Sequence, residues 1–180
     1  MEVGTKNTIW TIGHSTRTLE EFVGLLEAFE IQLVADIRSF PGSRRYPHFN
    51  KEALTVSLPE NNIRYIHILK LGGRRKVKAD SVNTGWRHLA FRGYADYMQT
   101  DDFITGVNEL QELAHRERTA YMCSEAVWWS CHRSMVSDYL KLQGWTVIHI
   151  MSTTKSEEHP YTAPARIVNG KLSYEQDSLF

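Results

Sequence analysis

No stretch of the chain runs for about twenty residues on apolar side chains alone, so the sequence contains no candidate transmembrane helix. The first residues lack a basic segment followed by an apolar stretch and a small-residue cleavage site, the signature of a secretory leader. A cytoplasmic protein without a membrane partner is the resulting expectation. Cysteine is nearly as scarce: two in 180 residues, too few for a disulfide-stapled scaffold and unneeded where 42% of residues are hydrophobic and 11% aromatic. An excess of charge of either sign is also missing, with 21 Lys and Arg against 21 Asp and Glu, which excludes a generally basic protein. Internal repeats and low-complexity tracts are absent. The length supports one core rather than two, hence a single domain over residues 1–180.

What is present is an alternation of strand and helix signals. Thr8 to Ile12 reads as a strand, the capping box Thr18-x-x-Glu21 opens a helix, and Ile31 to Ile37 reads as a buried strand. A loop rich in Pro, Gly and Arg follows at 40–46, then a short helix that Asn50 is placed to cap, and a strand over 63–69. Thr100 with Asp101 and Asp102 opens a further helix, whose apolar face is Phe103, Ile104, Val107, Leu110 and Leu113. Strand 119–123, helix 131–143 and strand 145–151 complete the series. Strands separated by helices predict an open α/β sheet of mainly parallel order, because parallel neighbours need crossover connections. Residues 71–93, glycine-rich and basic, read as a functional loop. Residues 152–180 form a polar extension in which Asn169-Gly170 between Ile167-Val168 and Lys171-Leu172 signals a tight hairpin.

In open α/β sheets ligands bind at the carboxyl ends of the strands. The first strand runs into Gly13-His14-Ser15, the second ends in Asp36-Ile37-Arg38, and the fourth ends in Cys123-Ser124-Glu125. Parallel order therefore brings residues more than a hundred positions apart to one rim. Each has a bland alternative: His14 as a turn residue, Asp36 with Arg38 as a loop-holding ion pair, Cys123 as a small core hydrophobe.

The densest cluster is Cys123 to Arg133, where two thiols, a carboxylate, an imidazole and a guanidinium fall within eleven positions. Ser130 reads as an N-cap, which makes Cys131, His132 and Arg133 the first helical residues. A thiol there is expected to be acidified by free N–H groups and neighbouring cations, and the turn to act as an anion cradle. The alternative is a buried Cys with Arg133 bridged to Glu125. The Cys-x5-Arg spacing of cysteine phosphatases is absent, since six residues on from Cys123 and Cys131 stand Trp129 and Ser137. Cys123, Cys131, His132 and His14 are zinc-type donors, but no close Cys-x2-Cys pair occurs, and neighbours on a helix diverge by about 100°, so no metal is assigned. The sequence assigns no cofactor and no oligomeric state.

Between residues 64 and 92 stand Arg64, Lys70, Arg74, Arg75, Lys76, Lys78, Arg87 and Arg92 against Asp80 alone. With Ser43-Arg44-Arg45-Tyr46 and Leu71-Gly72-Gly73-Arg74-Arg75, this combines flexible backbone, cations and aromatics, the parts of a phosphate or nucleic-acid site. A solvated basic surface is the alternative, and no P-loop motif occurs.

Thr11-Ile-Gly-His-Ser15, Asp36-Ile-Arg38 with Pro41 and Ser43-Arg44, Tyr65 before Leu71-Gly72-Gly73, Tyr94 with Tyr97-Met98, and Cys123-x-Glu125 followed by Cys131-His-Arg133 together resemble the domain of unknown function 488 family over residues 8–151. The resemblance implies a small α/β domain and leaves the reaction open. Val127-Trp128-Trp129-Ser130 departs from the more polar linker expected there and offers an apolar wall or stacking surface.

The expected function is an enzyme acting on a phosphorylated, nucleotide or nucleic-acid substrate. His14, Asp36, Cys123, Glu125, Cys131 and His132 are its candidate catalytic residues; Ser15, Arg38, Ser43, Arg44, Gly72, Gly73 and Arg133 are its candidate substrate-binding residues. The rivals are a non-catalytic nucleotide or nucleic-acid module and a thiol-redox or sulfur-transfer protein, the last suggested by Val34-Ala-Asp-Ile-Arg38.

Overall fold

A computed structural model describes residues 7–176. Five strands, β1 (Thr8–Gly13), β2 (Leu33–Asp36), β3 (Arg64–His67), β4 (Thr119–Cys123) and β5 (Thr146–Ile150), run parallel; β6 (Ser156–Glu158) adds an antiparallel edge. The sheet order is β3-β2-β4-β1-β5-β6. The period-2 alternation of side chains sends successive residues to opposite faces, and two cores result. On one face Ile12, Val34 and Met122 pack against α1 (Leu19–Ala28) and α2 (Lys51–Glu60) through Phe22, Leu26, Leu54 and Leu58. On the other, Ile9, Ala35, Tyr121 and Val147 meet α3 (Leu89–Tyr97), α4 (Asp101–Arg116) and α5 (Arg133–Leu142).

Local chemistry sets several boundaries where the sequence places them. Thr18 and Glu21 form the reciprocal capping box of α1, and the Thr100 hydroxyl accepts from Phe103 N–H at the start of α4. Asn169 and Gly170, with φ of 52° and 75°, make the turn between β7 (Arg166–Val168) and β8 (Lys171–Ser173), since two consecutive positive φ values suit Asn-Gly. Other boundaries differ. Asn50 precedes α2 but its side chain does not cap it; Asn50 Oδ1 accepts from Ser43 N–H at 2.6 Å and so ties down the 40–46 loop. The 71–93 loop gives way to α3 at Leu89, with His88 Nδ1 accepting from Ala90 N–H at its start.

The C-terminal extension is anchored by a buried polar chain. Asp138, on α5, accepts from Thr162 N–H and hydroxyl, from Tyr174 hydroxyl and from His159 Nε2. His159 Nδ1 lies 2.9 Å from His149 Nε2, and His149 Nδ1 lies 2.5 Å from the Thr11 hydroxyl. Trp128 stacks on His149 at 4.7 Å and an interplanar angle of 5°. Burial, followed by the neighbouring His159 and Arg133, lowers the His149 pKa to about 2, so this imidazole is neutral. The chain joins β1, β5, α5 and the extension.

Removing the central acceptor takes the partner from four donors at once, the buried His159 and Tyr174 and the half-buried Thr162 among them. Asp138→Ala is expected to lower unfolding free energy by about 3–5 kcal/mol. Urea denaturation checks this, and a loss under ~1 kcal/mol would mean the extension is held by other contacts.

Candidate active-site cleft

The connections from the neighbouring strands β1 and β4 leave for opposite faces, α1 to one and α5 to the other, and a crevice opens between their carboxyl ends. The strand ends stay paired beyond the ladder. His14 N–H donates to Cys123 O at 3.1 Å and Ser15 N–H to Ser124 O at 2.9 Å. The two chains approach so closely that a Cβ on Gly13 would lie 1.6 Å from Glu125 O, which explains the glycine. The cleft above has a volume of about 940 Å³.

Of the residues expected from sequence, His14, Ser15, Arg38, Ser43 and Gly73 line this cleft from the first half of the chain, and Cys123, Glu125, Cys131 and His132 from the second. Asp36, Arg44, Gly72 and Arg133 do not line it. Asp36 is fully buried and holds Arg38 from below: Asp36 Oδ1 accepts from Arg38 Nε (2.9 Å) and backbone N–H (3.0 Å), and Oδ2 from Nη2 (2.7 Å). The Tyr65 hydroxyl also donates to Asp36 Oδ2 at 2.5 Å, and Arg38 Nη2 donates to Phe49 O at 2.7 Å. Arg38 Nη1 points to His14 Nε2 at 3.3 Å. His14 Nδ1 is 2.9 Å from Ser15 O, which only accepts, so Nδ1 carries the proton and Nε2 receives Arg38. Burial lowers the His14 pKa to about 4, with the Arg38 charge acting in the same direction. His14 is thus a neutral imidazole, stacked on Phe49 at 4.4 Å, that orients a guanidinium at the cleft wall.

The α5 start differs from the sequence expectation. Trp128–Ser130 form a 3-10 turn, Cys131 is extended (φ −143°, ψ 172°), and the helix begins at Arg133, so Ser130 is not its N-cap. The turn consumes residues the expected helix would have used. Cys131 instead sits at the junction, its Sγ accepting from Arg133 N–H at 3.4 Å. His132 Nε2 donates to Ile37 O at 2.8 Å, pinning this junction to β2, and burial lowers its pKa to about 4. Gly73 packs against that ring, where a Cβ would lie 2.4 Å from His132 Nδ1; Gly72 packs under Ser39.

Cys123 and Cys131 are both free and buried, and their sulfurs stand 2.6 Å apart. Two thiols this close share one proton, because ionising both would place like charges in contact. Burial pushes the Cys123 thiol up, but the Cys131 S–H, the Arg133 guanidinium and the Glu125 backbone outweigh it and bring the pKa to about 7. Burial and the adjacent Cys123 push the Cys131 thiol well up. In this pair Cys123 is the thiol that ionises first and Cys131 the one that holds its proton, whereas the sequence expects an acidified Cys131; Cys131 precedes the helix instead of opening it.

The contact between the two sulfurs sets this asymmetry, and the Arg133 charge lowers both thiols. Arg133 is 2% exposed, its Nη2 donates to Glu125 O (3.2 Å) and Ala126 O (3.5 Å), and its Nε and Nη1 have no hydrogen-bond partner. No ion pair among the described residues includes it, so the alternative Arg133–Glu125 bridge does not form. Arg133 lies outside the cleft lining, and its charge acts on Cys123 and Cys131.

Sequence reasoning pointed to Tyr46 and to a tryptophan wall but missed Phe40 and Phe91. Phe40, Tyr46 and Phe91 line the cleft with Trp129, joined by Arg74 and His88. Arg74 lies over the Phe40 ring at 5.3 Å, and its backbone N–H donates to the Ser39 hydroxyl at 2.9 Å. The Arg-Gly run flagged the segment, but only the path of 71–93 across the rim brings His88 and Phe91 into it. Of the paired tryptophans, Trp129 lines the cleft while Trp128 is buried on His149. Among the described residues no group of three or more His, Cys, Asp or Glu side chains is placed to hold a metal ion. No helix among them is long and apolar enough to cross a membrane.

Residues 18–140 match the family model described as Domain of unknown function DUF488, and the chain belongs to that family. Searches of curated proteins and of solved structures found no match. The matched region holds both cysteines, Asp36, Arg38 and Arg133, while β1 with His14 and the C-terminal extension lie outside it.

The electrostatic assignment has a direct readout. A thiol lowered to about 7 is anionic above that pH, so alkylation of Cys123 by iodoacetamide is expected to rise with pH to a midpoint near 7 and then level off. Cys131 is expected to remain protected over the same range. Peptide mass spectrometry across a pH series separates the two, and preferential labelling of Cys131 would overturn the assignment.

Proposed function

We propose that this cleft is the active site of a cysteine-dependent enzyme acting on a phosphorylated, nucleotide or nucleic-acid substrate. The observation that carries the reading is the position of Cys123 at the cleft floor, in the same space as Arg38, Arg74 and four aromatic side chains. Two guanidiniums against Glu125, the one carboxylate on the lining, favour an anionic ligand. Phe40, Tyr46, Phe91 and Trp129 supply faces on which a base can stack, worth about 1–3 kcal/mol per base. A free, closely spaced dithiol suits the reducing environment of the cytoplasm.

In this reading Cys123 Sγ bonds to the substrate's electrophilic atom as the bond to the leaving group breaks, the leaving group takes its proton from water, and a second water, with exposed Glu125 as its base, then displaces Cys123 Sγ to release the product. Arg38 and Arg74 bind the anionic part. His14 and Asp36 position Arg38, and His132 positions the loop that carries Cys131.

The test uses a panel of mononucleotides, nucleoside diphosphates, short single-stranded oligonucleotides and a nitrophenyl phosphate ester. Binding is followed by intrinsic tryptophan fluorescence and calorimetry, and turnover by product analysis. Arg74→Ala is expected to weaken binding about tenfold, the loss of one charged hydrogen-bonding group. Cys123→Ser is expected to bind but not turn over. Binding without turnover by the unaltered protein would instead support a binding module, and no binding by any probe would remove the anionic-substrate reading.

A further inference from the structure

The distance between the two sulfurs carries more than pKa tuning. At 2.6 Å the Cys123 and Cys131 sulfurs are about half an ångström beyond an S–S bond of ~2.05 Å. The loop between them is a seven-residue turn in which Ser124, Glu125, Ala126, Trp129 and Ser130 are exposed. Closing the bond therefore requires a small adjustment of a surface loop and no rearrangement of the sheet. These are also the chain's two cysteines, so neither has another intramolecular partner.

We propose that Cys123 and Cys131 form a redox-active pair that performs thiol–disulfide exchange on low-molecular-weight disulfides reaching the cleft. The proposal rests on the reading of Cys123 as the cleft nucleophile and adds a second role for that thiolate. Cys123 S⁻ attacks a disulfide RSSR, giving the mixed disulfide Cys123–S–SR and releasing RS⁻. Cys131 then attacks Cys123 Sγ; its S–H proton passes to solvent or to the departing thiolate, the Cys123–SR bond breaks, and a second thiolate leaves. The protein pair is oxidised by two electrons and RSSR is reduced to two thiols.

The surroundings favour this order. Both sulfurs line the cleft, though only 2% and 8% of the two residues is exposed, so a reagent must come along the cleft to reach them. Cys131 holds its proton while it faces the Cys123 thiolate; once Cys123 is capped that repulsion is gone, and Arg133 N–H at 3.4 Å is available to the new thiolate. Arg133 has no carboxylate partner, so it stabilises the reduced, anionic pair over the neutral disulfide. The bond is accordingly one that excess reduced glutathione reopens.

The probe is oxidised glutathione, applied to the native full chain, quenched with acid and mapped by mass spectrometry without reduction. The expected product is one peptide pair linked through Cys123 and Cys131, lost again on incubation with reduced glutathione. In Cys131→Ser the reaction is expected to stop with glutathione on Cys123, and in Cys123→Ser the remaining thiol is expected to react at least tenfold more slowly. A stable glutathione adduct on Cys123 of the unaltered protein, or a link that forms only in denaturant, would overturn the proposal. The readout needs no enzyme substrate. A linked pair in a protein whose Cys123→Ser variant still turns over nucleotides sinks the function proposed above and leaves this one standing; loss of turnover without a linked pair does the reverse.

Discussion

A guanidinium buried without a carboxylate is the constraint around which the cleft is arranged. Arg133 is 2% exposed and two of its nitrogens have no hydrogen-bond partner, while the third reaches only main-chain carbonyls. An unpaired buried charge costs several kcal/mol, so the fold must contain something that offsets it. The group within its field that can take a negative charge at neutral pH is the Cys123 thiol, at the end of β4. The same charge disfavours protonation of His149, which lies among the buried polar side chains behind the cleft. One cation thus contributes to the ionisation of residues in front of it and behind it, beside the Cys131 hydrogen bond in the first case and burial with His159 in the second.

Two buried polar systems stand on opposite sides of the sheet. Asp36, Arg38, Tyr65 and His14 form a closed network toward α2 that leaves a guanidinium at the cleft wall. Asp138, His159, His149 and Thr11 form another that clamps α5 to β5 and to the C-terminal extension. Both are almost fully buried and have most of their donors and acceptors matched, which makes them rigid rather than reactive. His14 and His132, both on the cleft lining, are neutral imidazoles fixed by their neighbours, and the exposed Glu125 is the carboxylate on that lining.

Much of this was legible in the sequence wherever a local rule decides the outcome. The Thr18/Glu21 capping box, the Thr100 cap and the Asn169-Gly170 turn are set by interactions within four residues. Convergence of His14, Arg38 and Cys123 followed from parallel strand order alone. Features set by tertiary distance were not legible. Ser130 looked like an N-cap, but the preceding 3-10 turn delays the helix to Arg133 and turns Cys131 toward Cys123. Arg133 looked like a ligand-binding cation because nothing local shows that the 125–126 backbone closes over it. The strand β6, Ser156-Glu157-Glu158, is exposed throughout and has no alternation to read; it exists because β5 offers an open edge. The aromatic wall from Phe91 depends on a loop crossing the rim before α3 begins.

The central claim, that the unpaired Arg133 charge helps the Cys131 hydrogen bond to lower the Cys123 thiol, is tested most directly by titrating the ultraviolet thiolate absorbance of Arg133→Met beside the unaltered protein. Methionine keeps much of the buried volume and removes the charge, a change that folded proteins commonly tolerate. The account predicts that the Cys123 midpoint rises from about 7 toward the ordinary thiol value of ~8.5, with the fold retained by circular dichroism. An unchanged midpoint in folded Arg133→Met would contradict it and assign the Cys123 ionisation to the neighbouring thiol alone.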